Sequence, residues 1–305
     1  MLSLTRTKQA KYHKILYKRK LTPKSTFIKI YAPEIADVAK AGQFVIVMAD
    51  KNSERIPLTL VDWDKNIGEI SLIFQEIGYS TQKIGQLSMG DKLFNVSGPL
   101  GNPSEIRNYG RVAIVCGGIG TAAAYPIARA LKIAGNTVTS IIGAQSSDLL
   151  ILQNEMDEVS DHVYISTDDG SKGRKGFVTD VLRDLVEKER FDRVLVIGPT
   201  VMMSAVAEVT RPFGITTIAS LNSIMVCGIG LCGACRVSVD GITRFSCIDG
   251  PEFDAHKVDF KGLMNRLRCY VNEEKLALHF HEKSAFCTCQ PKPVISCPIH
   301  KKSKN

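Results

Sequence analysis

Four cysteines constrain this chain more than any other feature. Within "CGIGLCGACRV" stand Cys227, Cys232 and Cys235, and Cys247 follows, giving the spacing C-x4-C-x2-C-x11-C. The first three match the C-x4-C-x2-C spacing of plant-type [2Fe–2S] proteins, with a distant fourth ligand. A loop wrapped around two irons must turn sharply and aim backbone N–H groups at sulfur. Gly228, Gly230 and Gly233 permit the turns, and Ala234 keeps the loop close. Zinc is the competing reading, but zinc sites usually pair their cysteines as two short knuckles, whereas here three share one loop. Unliganded thiols are the third. With no recognisable membrane span or secretory signal, a reducing, intracellular and cytoplasmic setting is expected, where clustered cysteines bind metal or do redox chemistry rather than form disulfides.

The rest of the chain divides by texture. Its 305 residues suit two or three domains. Residues 1–104 are rich in β segments such as "FIKIYAP", "GQFVIVMAD", "IPLTLVDW" and "EISLIFQEIG", separated by Gly, Pro, Asn and Asp. Six or so such strands predict a small antiparallel β-barrel. "VSGPLGNPSEI" then breaks the pattern. Over residues 105–221 strands alternate with helices, which predicts a doubly wound α/β domain. Its helices are expected in "TAAAYPIARALKIAG", closed by Gly135, and in "SDLLILQNEMDEVS", capped by Ser147 or Asp148. Two more are expected in "VTDVLRDLVEKER", begun by Thr179 or Asp180, and in "TVMMSAVAEVTRPFG". Residues 222–272 hold the cysteine segment, and 273–305 form a polar tail.

The net charge of +8 raises the question of nucleic acid. Seven basic residues lie in 1–20 and four in 291–305, with no acid in either stretch, so the body carries −3. The excess is terminal and lacks a recognition fold, which excludes nucleic-acid binding from the expectations. No apolar run approaches the roughly 20 residues of a membrane span, and no secretory signal is recognisable.

Between a predicted strand and helix, "VCGGIGTAAAYP" places Gly117, Gly118 and Gly120 where a diphosphate approaches a helix N-terminus. The pattern is not a strict G-x-G-x-x-G, and a tight turn without ligand is the bland alternative. "IIGAQSS" at the end of the next strand lacks the acid that would grip an adenosine ribose. "TDDGSKGRKG" and "IGPTVMM" also follow predicted strands and converge on the same edge, which favours a nucleotide. Arg174 and Lys175 are read either as phosphate contacts or as ordinary exposed loop charges, with the second reading favoured. Cys116, beside the turn, is read either as a neighbour of the nicotinamide or as a small buried residue.

With these motifs in place, the chain resembles the FAD- and NAD-binding iron–sulfur electron-transfer subunits related to ferredoxin–NADP reductase. The likeness covers about residues 12–272, through "ERIPLTLVD", "IGYSTQKIGQL", "SGPLGNPSEI", "CGGIGTAAAYP", "TDDGSKGRKGFVTDVL" and "CRVSVDGITRFSCIDGPEFDAHKVDF". It is greatest to the small (alpha) subunit type of NADH-dependent reduced ferredoxin:NADP oxidoreductases, also called sulfide dehydrogenase subunits. Electron-transfer subunits of dihydroorotate dehydrogenase are cousins.

The resemblance implies that Arg55, Pro57, Leu58 and Thr59 line the flavin, and that Gly78, Ser80 and Thr81 meet its diphosphate. It implies that Gly117, Gly118, Ile119, Gly120 and Thr121 hold the phosphates of NAD(H) or NADP(H). Asp168, Gly170 and Ser171 would lie near the adenosine, and Gly198 and Pro199 beside the nicotinamide. Cys227, Cys232, Cys235 and Cys247 would hold the [2Fe–2S] cluster. The implied function is an oxidoreductase subunit moving electrons between NAD(P)H, FAD and the cluster, with no side-chain acid or base required. A larger catalytic flavoprotein subunit is the implied partner, with ferredoxin a further one.

Two departures stand out. Many relatives of the small-subunit type carry Asp at the first ligand, where this chain has Cys227, as the dihydroorotate cousins do. The tail adds Cys287, Cys289, Cys297 and His300, a zinc-type set, although a flexible tail with reduced thiols is the favoured reading. The runner-up function is the electron-transfer subunit of a dihydroorotate dehydrogenase. From another class comes a zinc-stabilised, nucleotide-binding interaction module without redox activity.

Overall fold

A computed structural model describes residues 13–286. Six antiparallel strands come first: β1 (Ile15–Thr22), β2 (Ser25–Tyr31), β3 (Phe44–Met48), β4 (Ile56–Asp64), β5 (Glu69–Gln75) and β6 (Asn95–Leu100), in the order β1-β2-β5-β4-β3-β6. Alternation of buried and exposed positions, as in "STFIKIY" of β2, turns Ile28 and Ile30 inward, where they pack with Ile15, Val45, Val47, Leu60, Leu72 and Phe74. The open edges meet. Lys14 bridges Lys92, and the Ile15 amide donates to the Asp91 carbonyl at 2.8 Å, which curls the sheet into a barrel. Strand β4 serves two neighbours, pairing with β3 over 56–59 and with β5 beyond Leu60, across a register shift. Helix α1 (Pro33–Val38) links β2 to β3, and α2 (Tyr79–Gln86) follows β5.

The second unit has the central strands β7 (Arg111–Gly117), β8 (Thr137–Ala144), β9 (His162–Thr167), β11 (Arg193–Ile197) and β12 (Thr216–Ser220), all parallel, with the short β10 (Arg174–Lys175) at one edge. Residues 112–117 of β7 are buried without a break, as a strand covered on both faces requires. Helices α3 (Gly120–Ile133), α4 (Gln153–Glu158), α5 (Val178–Lys188) and α6 (Thr200–Thr210) cover the sheet. In α5 the buried Val178, Val181, Leu182, Leu185 and Val186 repeat at helical spacing, and the Asp180 carboxylate accepts from the Phe177 amide at the start.

The single helix expected in "SDLLILQNEMDEVS" (147–160) is not one helix. A 3-10 turn (Ser147–Leu149) is followed by extended Leu150, and Leu152 takes φ +53° before α4 begins. Packing gives the reason: Leu150 joins the core under α3, whereas Ile151 joins a separate cluster against Val61 and Ile73 of the barrel.

The cysteine segment follows β12. After the ligand loop come the hairpin β13 (Arg236–Val239) and β14 (Ile242–Phe245), then β15 (Glu252–Asp254), α7 (Phe260–Leu267) and α8 (Val271–Phe286). Strand β15 pairs antiparallel with β12 and becomes the seventh strand of the nucleotide-type sheet, a junction no sequence pattern announces. Among the described residues, no helix is long and apolar enough to cross a membrane.

Candidate functional site

The parallel sheet runs β9-β8-β7-β11-β12, so chain order reverses between β7 and β11. Ligands of such sheets bind at that switch point, beyond the strand C-termini. Gly117 to Thr121 leave β7 there, and Gly198 and Pro199 leave β11 beside them. The two loops touch through backbone: a Cβ on Gly120 would stand 2.3 Å from the Ile197 carbonyl oxygen, and one on Gly198 3.2 Å from the Gly117 nitrogen. Met202 closes over both glycine positions, 117 and 198. Gly118 and Ile119 are half-buried, and a Cβ on Gly118 would meet open space. Thr121 Oγ1 is buried without a regular hydrogen-bond partner among the described residues. Gly-lined backbone and a helix N-terminus at the switch point fit a diphosphate.

Asp168, Gly170 and Ser171 are exposed at the end of β9. They dock on the loop after β8, where the Ser147 amide donates to Ser171 Oγ at 2.7 Å and the Asp168 amide to the Ala144 carbonyl at 3.1 Å. Arg174 turns away to Asp184, at 2.5 Å. Cys116 is wholly buried in the sheet core. Burial pushes its thiol up to about 12, with a weak interaction from Thr121 the opposing pull. The buried reading holds for it.

On the barrel, Arg55, Pro57, Leu58 and Thr59 are half-buried along β4 and the residue before it. Gly78, Ser80 and Thr81 form the first turn of α2, with the Gly78 amide donating to Thr81 Oγ1 at 3.0 Å. Ser80 Oγ donates to Glu54 at 3.0 Å, which brings the positive end of this helix against the segment carrying Arg55. A helix N-terminus on the same segment as an arginine suits a diphosphate, although the Arg55 guanidinium itself reaches Val226 and Met48, and the half-open β4 face suits a planar ring. Glu54 escaped the sequence reading because its partner is 26 residues away.

The cysteine loop lies against this same strand system. Cys235 and Cys247 are buried, Cys227 is half-buried and Cys232 is exposed. Cys235 Sγ stands 3.2 Å from Cys247 Sγ, while Cys227 Sγ accepts from the Cys232 amide at 3.4 Å. Further amides reach the thiols, Gly230 to Cys247 at 3.2 Å and Ala234 to Cys232 at 3.5 Å. Gly228 and Gly230 take φ of +76° and +78°, and a Cβ on Gly228 would stand 2.7 Å from Leu100 Cδ1.

Burial opposes ionisation of Cys227, yet the Ile229, Cys232 and Leu231 amides and the Cys232 thiol hold it at about 6. Burial, with the neighbouring Cys235 sulfur, pushes Cys247 up to about 12. The thiols thus stand as two pairs, Cys227 beside Cys232 and Cys235 beside Cys247, which matches a two-iron cluster with two ligands per iron. The second set, Cys287, Cys289, Cys297 and His300, lies outside the described residues.

Barrel, doubly wound sheet and thiol loop together define an electron-transfer oxidoreductase of the ferredoxin-reductase-like class. The iron–sulfur cluster binding domain of dihydroorotate dehydrogenase B matches residues 222–259, and the oxidoreductase NAD-binding domain matches 114–208. A Thermotoga maritima protein, described as a dihydroorotate dehydrogenase B (NAD(+)) electron transfer subunit homolog, is 44% identical over 256 residues, 84% of this chain and 90% of that one. The electron transfer subunit of dihydroorotate dehydrogenase B from Clostridium perfringens is 32% identical over 234 residues, 76% of this chain and 92% of that one.

A solved structure of an NADH-dependent reduced ferredoxin-NADP oxidoreductase, described for flavin-based electron bifurcation, superposes with a TM-score of 0.85. It is 41% identical, covering 89% of this chain and 98% of that one. Ferredoxin NADP+ reductase from Neisseria gonorrhoeae shares the fold, with a TM-score of 0.54 at 18% identity over 66% of this chain and 90% of that one. The chain belongs to the family of dihydroorotate dehydrogenase B electron-transfer subunits and their homologues.

Proposed function

We propose that this chain takes a hydride from NADH or NADPH and passes single electrons to a larger catalytic flavoprotein subunit. One observation carries the reading: Met225, Cys235 and Cys247 of the cluster loop share one apolar core with Phe44 and Ile46 of the barrel. The thiol site is thereby built onto the flavin-type strands. When bound, FAD accepts the hydride and the [2Fe–2S] cluster carries single electrons, chemistry that belongs to the cofactors.

The chain's part is to hold and orient. Arg55 and the α2 turn at Gly78, Ser80 and Thr81 are assigned to the flavin diphosphate, with Pro57, Leu58 and Thr59 against its ring. Gly117, Gly118, Ile119, Gly120 and Thr121 are assigned to the nucleotide phosphates, Asp168, Gly170 and Ser171 to the adenosine side, and Gly198 and Pro199 to the nicotinamide wall. Cys227 and Cys232 would ligate one iron, Cys235 and Cys247 the other. The division at residues 104, 221 and 272 is part of the same proposal.

Electrons would leave through the rim of the cluster loop, where Leu231 is 81% exposed, Ile229 55% and Ile248 46%. Such apolar side chains, grouped around one loop, suit a protein partner. Ferredoxin is proposed as a further redox partner of the complex, supported by the name of the solved relative. A cytoplasmic location is supported by the thiol ligand set, which needs a reducing compartment.

Anaerobic reconstitution tests the cofactor set. FAD with iron and acid-labile sulfide in equal amounts is the expected content, and a colourless, zinc-loaded chain would contradict it. A second reading, service to a dihydroorotate dehydrogenase, is favoured by the match over residues 222–259 and by the all-cysteine set with Cys227. Co-purification from the source cell separates the two by the catalytic subunit that stays bound.

A further inference from the structure

Arg55 does more than its place in the flavin segment requires. Its Nε donates to the Val226 carbonyl oxygen at 2.7 Å, and its Nη1 lies 3.7 Å from Met48 Sδ. Val226 is the residue before Cys227, and 171 positions separate it from Arg55. Around Val226 the loop is otherwise seated by apolar packing, with Gly228 against Leu100 and Ile46, and Met225 against the Phe44 cluster, while at its far end Arg266 Nη2 donates to the Ala234 carbonyl at 2.9 Å. Apolar packing holds the loop down but does not fix the rotation of its peptides. A guanidinium bonded to the Val226 carbonyl does, and it places a permanent positive charge on the peptide that leads into the first ligand, Cys227. With five N–H donors, the same group keeps others for a diphosphate.

We propose that Arg55 is a positioning residue for the iron–sulfur loop as well as for the flavin, pinning the Val226 carbonyl so that Cys227 is held in its ligating place. The inference rests on the cofactor set proposed above. Two consequences follow from the chemistry. Freed of the bond, the loop opens more readily and releases its cluster. Without the cation nearby, an added electron is less stable, since net charge and hydrogen bonding set cluster potentials.

The test uses the full chain reconstituted anaerobically with FAD, iron and sulfide, as wild type, R55Q and R55K, plus wild type stripped of FAD. Cluster loss to a chelator is followed by visible absorbance, and the cluster midpoint by redox titration with low-temperature EPR. R55Q is expected to lose its cluster about tenfold faster, the low end for outer-shell partners of a metal site, with a more negative midpoint. R55K keeps the charge on a flexible stem, so its midpoint stays near wild type while its loss rate is intermediate. Stripped wild type keeps slow cluster loss, because the Val226 bond is made within the chain.

R55Q with wild-type loss rate and midpoint would overturn the proposal. So would stripped wild type losing its cluster as fast as R55Q, which would assign the effect to flavin. Should R55Q not fold, R55K decides: a wild-type loss rate overturns the role. Absence of any iron–sulfur signal from wild type would overturn the cofactor set itself, an outcome distinct from the others.

Discussion

Single residues decide whether the loops of this site close. At Gly120 the obstacle is a backbone carbonyl 2.3 Å from any Cβ, and a carbonyl in a central strand cannot swing aside. Gly120→Ala is expected to cost about 1–3 kcal/mol, as overpacking does, read as a lower urea midpoint at unchanged m-value. Thiol chemistry gives a pH test. In the cluster-free chain Cys227, held at about 6, should alkylate at a rate that rises through that pH and levels off above it. Buried Cys247, pushed up to about 12, should react only on unfolding. Peptide mass spectrometry resolves the two, and equal rates at pH 7 would contradict the arrangement. The cysteines were legible in sequence because one local loop supplies three of the four ligands. The bonds from Ser80 to Glu54 and from Arg55 to Val226 were not, because they join segments that only the fold brings together.

Among the elements, β15 ties the cluster segment to the rest. Its Glu252 is half-buried, with a carboxyl that bonds Ser104, in the connection between barrel and doubly wound sheet. Burial pushes the carboxyl above its ordinary 4.5, with Ser104 and Arg193 pulling back and Glu105 adding to the push. A raised acid binds its proton more tightly folded than unfolded. Its contribution to stability is therefore full below 4.5 and lost as pH rises through the folded value. Glu252→Gln keeps the shape and stays neutral, so the variant should melt above wild type at pH 8. The gap should close as pH falls toward 4.5 in a Tm series; a pH-independent gap would contradict the linkage. Strands and helices with a clear period, such as β2 and α5, were readable from sequence. The split at residues 147–158 was not, because an unbroken apolar run does not reveal that Leu150 and Ile151 serve different cores.

At the scale of the molecule, barrel and doubly wound sheet meet through Val61 and Ile73 on one side and Ala122 and Ile151 on the other. Arg129 also pairs with Asp62 across the same contact at 2.8 Å, but both side chains are partly exposed. The apolar contact should dominate: Ile73→Ala is expected to cost about 2–5 kcal/mol and Arg129→Gln at most about 1 kcal/mol in denaturant unfolding. A firm contact matters because electron transfer needs the nucleotide, flavin and cluster sites held in one geometry. Order of domains and ligand spacing were legible along the chain, whereas the seating of the cluster loop on the barrel emerges only from packing. The central claim is that electrons run from nicotinamide through flavin to the four-cysteine cluster. Anaerobic titration of the reconstituted chain with NADH and with NADPH, followed by visible absorbance and low-temperature EPR, tests it most directly. Bleaching of the flavin bands together with a growing signal from reduced [2Fe–2S] is the predicted result. A cluster that dithionite reduces but neither nucleotide does would contradict it.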